Sequence, residues 1–131
     1  MAYNGDFKTM SAVTSSDMRT RQWHIVELAT SGIGVCDFAS AGNGYGVVVN
    51  NPNAGEAASI AVDGEVRIKC GSGGLAIGDR VTSAASGWAT KINSGAAGPT
   101  KMLGIAKVAA ASGSLSTVEF IRQTLTASGG A

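Results

Sequence analysis

Short apolar runs, each followed by a cluster of Gly, Ser or Asn, recur along most of the chain. Alternating apolar positions and β-branched runs such as Val47-Val48-Val49 are typical of strands and disfavour helices. Strands are predicted over residues 22–29, 33–38, 45–50, 58–62, 66–70, 80–83, 88–92, 101–108 and 116–121. The pattern predicts an all-β fold, a small antiparallel β-barrel or sandwich of about eight or nine short strands with Gly-rich turns.

Two stretches of this pattern match each other. Residues 45–62 align with residues 103–120 without a gap, so that Gly46 falls on Gly104 and Gly55 falls on Gly113. Each copy reads as a strand that opens on Gly, a loop of small and polar residues, and a second strand. The alignment predicts an internal structural repeat. The alternative is that unrelated strands and turns share the same residue types.

The segment Asp63-Gly64-Glu65 separates two apolar runs and is a turn signal, which predicts a hairpin. A two-residue Asp-Gly turn would place Val62 opposite Glu65, whereas a three-residue connection places Val62 opposite Val66. We expect the three-residue connection, because it gathers the apolar side chains on one face of the hairpin.

Both ends of the chain are more polar than its middle. Residues 1–20 contain a Ser/Thr cluster and Gly5, which disfavour a stable helix, so they are predicted to form an extended or irregular N-terminal arm that orders on a partner. In such an arm Tyr3, Phe7, Met10 and Val13 would be partner-contact residues. Residues 21–123 are predicted to form the β-domain, and residues 124–131 a flexible C-terminal tail.

Composition changes this picture in one respect, because the side chains available for a core are small. Gly occurs 19 times, aromatic residues make up 5% of the chain, and charged residues make up 15%. A core built from small residues stabilises a fold only weakly against conformational entropy. We therefore expect a subunit that completes its buried surface against copies of itself.

Charge and hydropathy argue against two classes of partner. The formal net charge of +1 provides no field that would attract nucleic acid. The chain has no apolar run of the length that crosses a membrane, and no secretory signal is recognisable. Without a secretion signal, Cys36 and Cys70 are expected to be reduced and buried rather than paired.

Residues suited to catalysis or metal binding are few. The single histidine, His24, has no nucleophile or acid close to it in the sequence, and His24, Cys36 and Cys70 are too scattered for a zinc site. We predict no catalytic, cofactor-binding or metal site, and no enzyme activity. Trp23 and Trp88 are expected to be core or interface residues, although their rings would also suit stacking on sugars.

A series of segments resembles a family of bacteriophage capsid decoration, or cement, proteins. Residues 16–18 and 22–28 are similar to the opening strand of that family, and residues 45–55, YGVVVNNPNAG, resemble its Gly-Val-x-x-Asn-x-Pro-x-x-Gly segment. Similar segments follow in the family's order at residues 62–66, 75–81, 87–89 and 103–106. The resemblance extends from Gln22 to Phe120 and does not include the first twenty residues.

The resemblance implies a structural protein without cofactor that forms a homotrimer. It implies binding to the major capsid protein on the outside of an icosahedral shell, at threefold or quasi-threefold positions, after assembly in the cytoplasm of the host bacterium. The shell would thereby be stabilised against the pressure of the genome. The alternative function is a carbohydrate-binding or adhesin-like β module, and the tryptophans are the reason to consider it.

Overall fold

The computed structural model describes residues 7–28, 34–92 and 99–126. These residues form nine β-strands and one 3₁₀ turn, Ala85–Gly87, so the all-β prediction is confirmed. Within the same ranges, no helix has the length and apolar character needed to cross a membrane. The strands are β1 Phe7–Thr14, β2 Ile25–Leu28, β3 Val35–Phe38, β4 Gly46–Val48, β5 Ala57–Lys69, β6 Arg80–Ser83, β7 Ala89–Lys91, β8 Pro99–Ala106 and β9 Leu115–Thr126.

Strand pairing divides the chain into two units that share β5. In the N-unit, which consists of β1–β4 and residues 57–64 of β5, antiparallel pairs link β1 to β5, β5 to β4, β4 to β2 and β2 to β3. A parallel pairing of β3 with β1 closes this circuit. In the C-unit, antiparallel pairs link residues 65–69 of β5 to β9, β9 to β8, β8 to β6 and β6 to β7. A parallel bridge between Cys70 and Ala89 closes the second circuit. Each unit is therefore a barrel-like ring of five strands.

The registers of the two units correspond residue by residue. Val48 lies opposite Ile60 in the N-unit, and Ala106 lies opposite Val118 in the C-unit, as the sequence alignment requires. The predicted repeat is confirmed, and it is larger than predicted, because β1, β2 and β3 correspond to the second part of β5, β6 and β7. Corresponding pairs are Thr14 and Cys70, Val26 and Val81, Cys36 and Ala89, and Gly46 and Gly104.

The loop before β2 corresponds to the loop before β6. The Trp23 amide donates to the Val48 carbonyl at 2.7 Å, and the Gly78 amide donates to the Ala106 carbonyl at 2.8 Å. Since Val48 and Ala106 are equivalent in the strand registers, Trp23 and Gly78 occupy equivalent positions. Both have a positive φ, 73° at Trp23 and 90° at Gly78.

The two aligned glycines, Gly46 and Gly104, are required by the same close approach of two strands. A Cβ atom at Gly46 would lie 2.5 Å from the Ala61 carbonyl oxygen, and a Cβ atom at Gly104 would overlap the Glu119 carbonyl oxygen. Ala61 and Glu119 are themselves equivalent in the two units. The glycine identities in the alignment therefore report a shared backbone geometry.

The hairpin predicted at Asp63-Gly64-Glu65 is wrong, because β5 runs continuously through this segment. Its first part pairs with β1 and β4, and its second part pairs with β9. Between Lys8↔Asp63 and Thr9↔Ala61 the register shifts by one residue, which leaves Val62 as a β-bulge. Gly64 has a φ of 91°, so the Asp-Gly signal marks the point where the strand passes from one unit to the other.

Of the two conformations predicted for the N-terminal arm, extended or irregular, Phe7–Thr14 adopt the extended one and form β1. Ala12 and Thr14 of this strand are buried, so β1 contributes to the N-unit core. The flexible tail predicted from Thr124 is wrong as far as Thr126, because β9 continues to that residue against β8. Residues 1–6 and 127–131 of the predicted arm and tail lie outside the described residues.

The core consists of two clusters of buried side chains. The smaller cluster fills the N-unit and contains Ala12, Met18, Val26, Cys36, Val48, Ala58 and Ile60. The larger cluster fills the C-unit and also includes Ile25, Val47 and Ala61 from the N-unit. These three residues alternate with Val26, Val48 and Ile60 along their strands, so they lie on the opposite face of the N-unit. The N-unit therefore packs an apolar outer face against the C-unit.

Candidate functional site

The junction between the two units holds both tryptophans. Trp23 is half-buried, its carbonyl accepts a hydrogen bond from the Lys69 amide at 3.0 Å, and the Arg67 guanidinium lies 5.9 Å from its ring centroid. Lys69 and Arg67 belong to the C-unit, whereas Trp23 belongs to the N-unit. A positive φ is unusual for a large side chain and costs on the order of 1–3 kcal/mol. The chain therefore holds Trp23 in a strained conformation at this junction.

Trp88 contacts the N-unit from the other side of the junction. Its ring lies edge-on to His24, with the centroids 4.5 Å apart, and the Arg21 guanidinium lies 5.9 Å from the Trp88 centroid. His24 is 2% exposed. Burial, and then the neighbouring positive charge of Arg21, lower the pKa of His24 to about 4 despite a hydrogen bond to the Ser86 backbone. His24 is therefore neutral at pH 7.

Two polar atoms at this junction have no hydrogen-bond partner within the described part of the chain. They are Nδ1 of His24 and Nε of Arg67, both fully buried. Buried polar atoms are nearly always hydrogen-bonded to protein groups or to ordered water. Here the neighbouring groups are aromatic, because the His24 ring lies against Trp88 and the Arg67 guanidinium lies near Trp23.

Neither tryptophan offers an unobstructed ring to a sugar. Both are half-buried, and each has a guanidinium within 6 Å of its centroid, Arg67 for Trp23 and Arg21 for Trp88. A sugar-stacking platform needs an accessible aromatic face. The geometry favours a structural role for both rings, and their predicted contact with a partner protein stays a prediction.

A cleft of about 570 Å³ lies between the units near the end of β2. The residues that line it are Glu27, Leu28, Asn43, Gly44, Tyr45, Lys101, Met102 and Arg122. The Arg122 guanidinium lies 5.0 Å from the centroid of the Tyr45 ring and 5.2 Å from that of the Phe120 ring, and it donates to the Val62 carbonyl at 3.0 Å. Burial lowers the pKa of Arg122, and it remains protonated.

The carboxylate in this cleft is engaged by the protein itself. Burial opposes ionisation of Glu27, but hydrogen bonds from the Ser40 amide, the Ser40 hydroxyl and Asn43 outweigh it and keep the pKa of Glu27 below its usual value. His24 and Asp37 are not among the residues that line the cleft. The arrangement fixes the β3–β4 loop and provides no pair of groups poised for proton transfer.

The cysteines are buried and unpaired, as predicted. Cys36 lies in the N-unit cluster and Cys70 in the C-unit cluster. Burial raises the pKa of both thiols, so they are protonated at neutral pH. Among residues 7–28, 34–92 and 99–126, no three His, Cys, Asp or Glu side chains are grouped as a metal site would require.

The predicted partner-contact residues of the arm differ in exposure. Tyr3 lies outside the described residues. Phe7 and Met10 are half-buried and pack against the two core clusters, whereas Val13 is 44% exposed. Sequence reasoning missed Ile77, which is 73% exposed. No local pattern in the sequence identifies Ile77, because its correspondence with Gln22 follows from the backbone hydrogen bonds that make Trp23 and Gly78 equivalent.

Comparison with known proteins identifies a family and a solved structure of similar fold. The family described as phage cement protein matches residues 19–121. The N base of the head fiber protein gp8.5 of bacteriophage phi29, known from a crystal structure, has a similar fold with a TM-score of 0.70 at 18% sequence identity. The match covers 92% of this chain and 98% of that chain. None of the curated proteins matches this chain.

Proposed function

Because this chain belongs to the phage cement protein family, we propose that it trimerises and binds the outside of an icosahedral phage shell at threefold or quasi-threefold positions, which stabilises the shell. The single observation that carries the proposal is the family match over residues 19–121, which include β2 to β8, all but the first strand and the end of the last. The partner we propose is the major capsid protein.

The small side chains of the core support the proposal, because they indicate a protein that gains stability from contacts with its neighbours. Gly, Ala and Ser make up much of the chain, and the largest fully buried side chains are Met, Ile and Leu rather than aromatic residues. A small core leaves little reserve against unfolding, and binding to a partner adds stability by mass action. Attachment to a shell would therefore stabilise this protein as well as the shell.

For the contact with the shell we propose the N-terminal end of the chain, including Tyr3, Phe7 and Met10. β1 uses one edge to pair with β5, and along Phe7 to Ala12 no strand of the described chain pairs with its other edge. A free strand edge is a common site for addition of a strand from another protein. Residues 1–6 precede this edge.

Co-sedimentation with expanded shells that lack their decoration protein tests the function. We expect saturable binding, a copy number that is a multiple of three at each threefold position in electron micrographs, and a higher temperature of shell disruption. Removal of residues 1–6 should weaken binding while the far-UV spectrum is unchanged, because β1 is retained. Removal of residues 127–131 is the matched control. Absence of binding by the full chain at high protein concentration would exclude the proposed function.

A further inference from the structure

We propose that the cleft near the end of β2 binds a carboxylate side chain of the shell protein, which is held by the ammonium group of Lys101 and the guanidinium of Arg122. An apolar side chain next to that carboxylate would cover Leu28 at the cleft. The inference rests on the function proposed above and identifies a second point of contact with the shell, besides the edge of β1.

The cleft contains more positive than negative charge. Its lining includes two cations, Lys101 and Arg122, and one carboxylate, Glu27. The hydrogen bonds that Glu27 accepts all end on the same oxygen, Oε1, and their donors belong to Ser40 and Asn43 of the β3–β4 loop. Within the described residues, no ion pair joins Glu27 to either cation. The loop therefore engages the negative charge of the cleft, and the two cations have no counter-ion there.

Arg122 is the cation better prepared to receive an anion. Its guanidinium lies beside the Tyr45 and Phe120 rings, and burial of part of the side chain lowers its pKa, although the residue as a whole is exposed. A guanidinium has several N–H donors, and in the described chain Arg122 uses them for one hydrogen bond, to the Val62 carbonyl. The carboxylate that acts on the pKa of Arg122 is Asp63, which does not line the cleft. A partly desolvated cation gains more from a carboxylate than one in bulk water, because its charge is screened less.

The backbone positions of both cations are fixed by hydrogen bonds. The Lys101 amide donates to the Gly42 carbonyl at 3.1 Å, and the Lys101 carbonyl accepts a hydrogen bond from the Thr82 hydroxyl at 2.8 Å. Arg122 belongs to β9, which pairs with β8 on both sides of this residue. A site on paired strands loses little backbone freedom when a partner binds, which favours binding.

The described part of a second copy offers no unengaged carboxylate to this cleft. Each carboxylate of the described residues already accepts a hydrogen bond or forms an ion pair within its own chain. These carboxylates are Asp17, Glu27, Asp37, Glu56, Asp63, Glu65, Asp79 and Glu119. A second copy would have to break one of these contacts, whereas a different protein with an unpaired Asp or Glu would not. Charge complementarity therefore favours the shell protein as the partner.

The cleft lies close to the shell contact proposed for β1. Leu28 lines the cleft and is 42% exposed, so an apolar side chain beside the bound carboxylate would remove Leu28 from water. Val62, which accepts the hydrogen bond from Arg122, is the bulge residue of β5 between the positions that pair with Lys8 and Thr9 of β1. Arg122 thus contacts the strand next to β1, and one partner surface can reach both the cleft and the β1 edge.

Co-sedimentation with undecorated expanded shells at two salt concentrations tests the site. We expect Arg122→Gln to bind at least about tenfold more weakly than the full chain, and Lys101→Gln about threefold, because an exposed ion pair contributes less than a charged hydrogen bond near aromatic rings. Both variants should also lose less affinity when salt is added. Lys91→Gln and Arg80→Gln are the matched controls, since each removes an exposed cation outside the cleft, and they should bind like the unchanged protein. Equal losses in the controls and the cleft variants would mean that only overall charge matters and would overturn the inference.

Lys101→Gln keeps the test decisive if Arg122→Gln is unstable. The Lys101 ammonium forms no ion pair in the described part of the chain, so its removal should leave the urea midpoint unchanged. Shell binding by Lys101→Gln that equals that of the full chain overturns the inference. A smaller mass of Lys101→Gln in sedimentation equilibrium also overturns it, because the cleft would then be occupied by a second copy.

A titration without shells separates this inference from the proposed function. The probe is the capped peptide acetyl-Leu-Glu-Leu-amide, and the same peptide with Gln in place of Glu is the control. At a peptide concentration on the order of 1 mM, we expect the Glu peptide to shift the NMR signals of the Leu28, Tyr45 and Lys101 amides, and the Gln peptide to leave them unchanged. Absence of these shifts, or shifts with glucuronate in place of the peptide, overturns the inference even if the full chain binds shells. A protein that shows the shifts and binds no shell retains an acidic-peptide site and loses both the proposed function and the shell as its partner.

Discussion

Trp23 provides a sharp test of the two-unit architecture, because the equivalent residue of the C-unit is Gly78. The test replaces Trp23 by Gly and, separately, by Ala. Both substitutions remove the half-buried indole and its contact with Arg67, so that loss is common to the two variants. The two variants differ in that alanine has a Cβ atom and glycine has none, while both must adopt the φ of 73° at position 23.

The difference in unfolding free energy follows from the backbone alone. A left-handed conformation costs a residue with a Cβ atom roughly 1–2 kcal/mol. Glycine avoids this cost, but it also makes the unfolded chain more flexible, which lowers the free energy of unfolding by about 0.4–1 kcal/mol. We therefore expect Trp23→Gly to be more stable than Trp23→Ala by about 1 kcal/mol. Trp88 has an ordinary extended backbone, with φ −72° and ψ 145°. The free energy of unfolding of Trp88→Ala should therefore be higher than that of Trp88→Gly by about 0.5–1 kcal/mol.

Urea unfolding followed by far-UV circular dichroism measures these differences. All four variants are compared at one protein concentration, because self-association would make apparent stability depend on concentration. The decisive result is the order of Gly and Ala, which should be reversed between position 23 and position 88. If Trp23→Ala is as stable as Trp23→Gly while the Trp88 pair behaves as expected, Trp23 is not strained and its equivalence with Gly78 has no energetic meaning.

Two further predictions concern stability. Gly46→Ala and Gly104→Ala should each lower the free energy of unfolding by at least about 2 kcal/mol, because the new methyl group meets a carbonyl oxygen. Gly55→Ala and Gly113→Ala have open space around the new methyl group and should lose only about 1 kcal/mol, because of their positive φ. Urea midpoints that do not separate these two pairs of variants would contradict the close approach of the strands. The pKa of His24 is about 4 in the folded protein and 6.5 in the unfolded chain, so below pH 6.5 the unfolded state takes up the proton first. The free energy of unfolding should therefore fall by roughly 2–3 kcal/mol as the pH falls from 6.5 towards 4. His24→Gln should lose that part of the pH dependence, and an unchanged pH profile would show that His24 is not its source.

The sequence predicted the part of the repeat in which the spacing between strands is the same in both units. Gly46 and Gly104, and Gly55 and Gly113, coincide without a gap, and the strand registers confirm that alignment. The first three strands of each unit differ in spacing and in side chains, with Trp23 in one unit and Gly78 in the other. Their equivalence is defined by backbone hydrogen bonds, which the sequence does not show.

The error at β5 has a physical reason of the same kind. Asp63-Gly64 has the residues of a turn, and locally a turn and a hinge in a continuous strand require the same positive φ at Gly64. The choice between them depends on β9, which pairs with residues 65–69 and lies more than forty residues later in the chain. The cleft likewise brings Arg122 to Tyr45 from distant parts of the sequence, so local patterns could not identify it.

The two units are equivalent in backbone and different in what their outer faces contact. Ile25, Val47 and Ala61 form an apolar face of the N-unit that only the C-unit covers, so the N-unit depends on the C-unit for part of its buried surface. At the equivalent face of the C-unit, Arg80 and Glu119 are exposed. The apolar face therefore needs the cover that the C-unit provides, whereas the charged residues at the equivalent face of the C-unit can remain in contact with water.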